Sequence, residues 1–169
     1  MGISWLPIFL GPYFALKLAA SGEGPSSYGK SFGTTLGALA VMILGGVSLG
    51  MTESNPNVLT LAGFVIILAA AFITSMGWTS LGRTLLAYAF AARIPVLVVM
   101  FLAMSGKWGT HYDAVGPRYE NLALWKKFLD TAILPQMFLW IGYTVVVGSL
   151  FGDIVGAIFG RKPSPQPST

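Results

Sequence analysis

The chain has 169 residues, of which 54% are hydrophobic and only 9% charged, and its mean hydropathy is +0.72. Soluble domains carry about a quarter charged residues, so this composition excludes an ordinary water-soluble fold and names the lipid bilayer as the first partner. The net charge of +4 does not signal nucleic acid, because the basic residues are scattered singly or in pairs between apolar runs, and with no cysteine and one histidine, His111, neither metal nor cofactor is expected.

A bilayer core of roughly 30 Å requires about 20 apolar residues in a helix. The stretch from Trp5 to Ala20 is about 16 residues long and is interrupted by Pro7 and by Gly11-Pro12. It reads as an interfacial or half-inserted helix with Trp5 and Lys17 as anchors, the alternative being a short fifth span. It lacks the basic start of a cleaved signal peptide, and Leu6 stands where a myristoylation signal requires Ser or Thr. Four spans are expected after it, at 31–51, 58–78, 85–104 and 135–159. The polar hexapeptide at 52–57 joins the first two as a tight hairpin. Residues 105–131 form the one sizeable connection, and within it 121–130 is expected as a short helix in the headgroup layer. The tail 161–169 is Pro/Ser-rich and is expected to be disordered. The fold class is therefore all-α, an integral membrane four-helix bundle preceded by an N-terminal segment.

With four spans, one side holds Lys17, Lys30, Arg83, Arg161 and Lys162, and the other holds Lys107, Arg118, Lys126 and Lys127, offset by Glu53, Asp113, Glu120 and Asp130. The excess of positive charge places both termini in the cytoplasm.

Glycines recur every fourth residue at Gly148, Gly152, Gly156 and Gly160 of the last span, and Gly29, Gly33, Gly37 and Gly45 nearly repeat this along the first. Such spacing makes a flat groove that admits a second backbone. The first and fourth spans are accordingly expected to be the close pair, or else one of these faces builds a homo-oligomer.

Arg93 and Asp153 are the ionisable residues inside spans, and each costs several kcal/mol unless it is paired, hydrated or snorkelling. Counting from the expected span ends puts both about 12 Å from the same interface, so an ion pair between the third and fourth spans is predicted. Thr34, Thr35, Thr74 and Ser75 fall in the same third of the bilayer, and with the two charges they form a candidate polar pocket for a solute or proton. The alternative is that Arg93 snorkels and Asp153 satisfies local backbone. In the long loop, His111 lies two residues from Asp113, a spacing at which a carboxylate can orient an imidazole. No recognisable nucleophile accompanies them, and fixing the loop is the competing role.

Three stretches, Ala91-Ala-Arg-Ile-Pro-Val-Leu-Val-Val-Met100, Gly106-Lys-Trp-Gly-Thr-His-Tyr-Asp113 and Leu134-Pro-Gln-Met-Phe-Leu-Trp140, resemble segments of uncharacterised small polytopic membrane proteins of bacteria, over roughly the C-terminal half of the chain. Phe9-Leu-Gly-Pro12 followed by a helix and further spans is loosely similar to the bacterial branch of the Yip1-like membrane family. Neither resemblance implies an activity or a site residue. The expected function is non-enzymatic, an accessory or scaffold subunit or a homo-oligomer acting by helix packing. The alternatives are a small transporter or channel using Arg93 and Asp153, and a membrane enzyme using His111 and Asp113.

Overall fold

The computed structural model describes residues 3–50 and 58–160, and these are helical with connecting turns and no strand. A 3-10 turn, Ile3–Trp5, leads into α1 (Leu6–Ala20), α2 (Tyr28–Gly50), α3 (Val58–Gly77) and α4 (Thr79–Gly106). After a loop carrying the 3-10 turn Pro117–Tyr119, α5 runs as one helix over Leu124–Phe159. Helices α2 to α5 are each long and apolar enough to cross a membrane, and α1 is a shorter apolar helix. The hairpin at 52–57 and the tail at 161–169 lie outside the described residues.

The bundle is apolar on its outside and buries several polar side chains within its core. Ile43, Leu61, Val65, Phe72, Ile94 and Val98 point outward, whereas Ser31, Thr35, Thr74, Thr144, Ser149 and Asp153 are buried. Lipid tails reward this arrangement and water would not. Helices α2 and α3 are antiparallel neighbours along their length. A Cβ on Gly45 would stand 2.9 Å from the carbonyl oxygen of Gly63, and at the other end one on Gly77 would stand 2.8 Å from the Cα of Ser31. Only Trp78 separates α3 from α4. Its extended backbone turns the corner, its indole Nε1 donates to the Glu23 carbonyl at 2.7 Å, and its ring meets Tyr28 edge-on. Ala15, Ala71, Leu81, Leu85 and Val145 pack beside it as the core of this end. At the opposite end Met104, Phe128 and Ala132 form a smaller core. Helix α5 is the hub and packs against every other helix.

Three expectations are corrected. First, α4 begins at Thr79 rather than Leu85, because the turn at Trp78 is too tight to leave a connector; Arg83 is thereby inside the helix. Second, the headgroup helix expected at 121–130 and the span expected from Pro135 are one helix. Pro135 lacks an N–H and should break an α-helical ladder, and the chain passes it through π-helical turns at Leu129–Ile133 and Pro135–Leu139.

The placement of α1 is more specific than expected, since it packs lengthwise on the bundle. Pro7, Gly11, Ala15 and Ala19, one every fourth residue, are all buried. A Cβ on Gly11 would collide with the Gly148 carbonyl, and Gly152 meets Gly11 and Ala15, so α1 runs alongside α5 and parallel to it. Its 15 residues span roughly 22 Å, shorter than a bilayer core. On this register Leu6 sits near the level of Thr144.

Third, the glycines of α2 do not pair with those of α5. The α2 residues that face α5 and α3 are Ser31, Thr35, Ala38 and Gly45. Gly29, Gly33 and Gly37 precede the first three by one or two residues, which at 100° per residue turns them toward the outside. No heavy atom of the described residues comes within 4 Å of a Cβ placed at Gly33 or Gly37. The α5 glycines are filled by larger side chains: Leu85 covers Gly148, Leu81 covers Gly152, and Tyr28 at the start of α2 covers Gly160 and, with Trp78, Gly156.

Candidate intramembrane polar site

Asp153 is 1% exposed, yet both carboxylate oxygens are satisfied. Ser31 Oγ donates to Oδ1 at 2.6 Å and Thr35 Oγ1 donates to Oδ2 at 2.8 Å. The two hydroxyls are one helical turn apart on the buried face of α2, so a single carboxylate bridges successive turns. They also lie near the N-terminal end of α2, where the helix dipole favours negative charge. No Lys, Arg or His among the described residues lies within 4.0 Å of Asp153.

Arg93 is 5% exposed and continues the inward stripe Leu81, Leu85 and Ala89 of α4. Its guanidinium carbon lies 5.0 Å from the centroid of the Trp140 ring, and Nη1 donates to Gln136 Oε1 at 3.4 Å, a long contact. The Nε has no hydrogen-bond partner among the described residues.

The predicted ion pair between Arg93 and Asp153 is therefore not formed. Arg93 sits beside Gln136 and Trp140, and Asp153 lies 13 residues beyond Trp140 (153 − 140) on the same helix, roughly 20 Å along its axis. The early start of α4 is the cause. Arg93 is 14 residues from Thr79 and 13 from Gly106, in the middle of its helix, whereas Asp153 is six residues from Phe159.

The other members of the expected pocket also divide. Thr35 binds Asp153. Thr34 donates to the Lys30 carbonyl of its own helix, and Ser75 does the same to Ala71. Thr74 is 2% exposed, and its Oγ1 has no partner among the described residues. Ser31, Ser149 and Thr144 were not singled out in the sequence, although Ser31 with Thr35 and Ser149 with Asp153 carry the i, i+4 spacing that puts polar groups on one face. The hydroxyls of Thr144 and Ser149 are buried and have no partner among the described residues.

In the loop, Asp113 turns away from His111. Its carboxylate accepts the backbone N–H of Gly109 at 2.9 Å, and the N–H and hydroxyl of Thr110 at 2.6 and 2.9 Å. Desolvation pushes the Asp113 carboxyl up, and these hydrogen bonds overcome it and hold the group below the usual carboxylate range. His111 is exposed and rests against the Tyr112 ring. The pair closes a turn and presents no acid–base couple. Among the described residues no three His, Asp or Glu side chains gather as a metal site requires.

Set beside known proteins, the chain matches no family model, no curated protein and no solved structure, and its function has to be argued from this geometry.

Proposed function

We propose that the chain is an integral protein of a bacterial inner membrane that works by helix packing, as an accessory or scaffold subunit or as a homo-oligomer, and not by catalysis. The end of the bundle bearing Lys17, Lys30 and Arg83, followed in sequence by Arg161 and Lys162, faces the cytoplasm in this reading. The observation that carries it is the outward face of α2. Gly33 and Gly37 have open space where a neighbouring backbone would fit, while the glycines of α5 are already filled within the chain. The separation of Arg93 from Asp153 supports the same reading, since the two charges that would have converged on a solute are far apart. The absence of cysteine makes the test clean. Gly33→Cys or Gly37→Cys in native membranes is expected to give a cross-linked species under mild oxidation or with a short bifunctional reagent, and Val98→Cys on the outward face of α4 is not. Equal cross-linking at 33, 37 and 98, with a strict monomer mass in detergent, counts against it.

A second reading, a small proton- or ion-conducting protein, is favoured by the hydroxyls beside Asp153. In it the unpartnered Thr74 and Ser149 hydroxyls and the Ser31–Asp153–Thr35 bridge handle the ion. Its test is proton flux into proteoliposomes, which Asp153→Asn should abolish without loss of fold.

A further inference from the structure

We infer that Arg93, with Gln136 and Trp140, forms a binding site for a small anion that offers two oxygens, a carboxylate or a phosphate. The site is independent of the lateral association proposed for α2. Its basis is an asymmetry between the two buried charges. Asp153 can take up a proton and become neutral, and its oxygens are already bonded. Arginine keeps its charge at any physiological pH, so burial leaves it needing negative charge or acceptors.

The guanidinium of Arg93 is short of acceptors. Nε–H has no acceptor among the described residues, the hydrogen bond from Nη1 to Gln136 Oε1 is long at 3.4 Å, and Tyr88 is the ionisable side chain within electrostatic range. Gln136 spends its own amide N–H on the Met100 sulfur at 3.8 Å, a weak acceptor. The Trp140 face packs against the guanidinium and fixes its plane, which suits a bidentate anion. Gln136 belongs to a π-helical turn of α5, a local widening of the helix often found where a side chain is aimed at a ligand.

The depth selects the source. Arg93 is roughly 20 Å from either end of α4, out of reach of a lipid phosphate at the bilayer surface. It is also 5% exposed, so a carboxylate on another protein's helix cannot reach it without displacing α5. A small solute is tethered neither to the bilayer surface nor to a second helix, and has only to part the side chains that cover Arg93.

The test is thermal unfolding of the purified protein in dodecyl maltoside, at fixed ionic strength, in sodium chloride, sodium acetate or sodium phosphate. Wild type is expected to gain several degrees of Tm in acetate or phosphate over chloride, with saturation. Arg93→Met keeps the bulk of the side chain, removes the charge, and should lose the shift. If Arg93→Met does not fold, Gln136→Leu and Trp140→Phe serve, each expected to raise the half-saturating concentration several-fold. No saturable shift in wild type overturns the proposal, and so does an equal shift in Arg93→Met. Stabilisation by added phosphatidylglycerol but by neither salt assigns the charge to a lipid and overturns it. A protein partner retained by wild type and released by Arg93→Met assigns the charge to a helix–helix ion pair, with the same result.

Discussion

Inside the bundle, the stability of Asp153 rests on two neutral donors, and that predicts an order of variants. Asp153→Asn keeps an acceptor and is expected to unfold close to wild type. Asp153→Leu strands the Ser31 and Thr35 hydroxyls in a buried site, a loss of about 1–3 kcal/mol for an unsatisfied group. Adding Ser31→Ala and Thr35→Val to Asp153→Leu should recover most of the loss, because removing both sides of a buried hydrogen bond is nearly neutral. Unfolding in mixed detergent micelles measures all three, and a triple variant no better than Asp153→Leu contradicts the account. In the loop the sign follows from Asp113. Its carboxyl is held below the usual range in the folded loop, so its contribution is present above the unfolded pKa and is lost as pH falls through the lowered folded value. Protection of the Gly109 and Thr110 amides, taken relative to their intrinsic exchange at each pH, should therefore fall as acid is added through that window, and Asp113→Ala should show the lower protection above it and converge with wild type below it.

Among the helices, the same residue type answers to two different neighbours. A Cβ at Gly142 would stand 2.5 Å from the Ile67 carbonyl oxygen, and one at Gly11 would collide with the Gly148 carbonyl. Gly142→Ala and Gly11→Ala must push α3 or α1 away from α5, at about 1–3 kcal/mol each. Gly37→Ala meets open space on an α-helix, and the gain in helix propensity of up to about 1 kcal/mol should leave the isolated chain as stable or more so. Denaturation midpoints that fail to separate these two classes would refute the packing assigned to α1 and α5. A repeat of glycines every fourth residue announced close approach along α5 but did not say which helix approaches. Helix α1 carries the matching small stripe, Pro7, Gly11, Ala15 and Ala19, and its short length concealed it as a packing partner.

Taken whole, the molecule has two distinct ends. The α1–α2 turn, Trp78 and the close of α5 share one, and the loop at 107–123 occupies the other. Ser21→Cys and Asn121→Cys should therefore react with a membrane-impermeant maleimide from opposite faces, Ser21→Cys from the cytoplasm in the orientation proposed. Labelling of both from one face would break the antiparallel order of α2 to α5.

The lengths and apolarity of its runs determined that this chain is helical, that four helices can cross a membrane, and that Arg93 and Asp153 are its costly residues, because these depend only on composition summed along a segment. The i, i+4 pairs Ser31 with Thr35 and Ser149 with Asp153 were also legible as faces. Which face meets which helix was decided by the tertiary structure. Trp78 starts α4 six residues earlier than its hydropathy suggests, and the π turns carry α5 through Pro135, so both helices enter the bundle on a register no count from span ends reproduces. A shift of six residues is about 9 Å in a helix. That is enough to take Arg93 out of reach of Asp153, leaving the carboxylate to two hydroxyls and the guanidinium to an aromatic face and a glutamine.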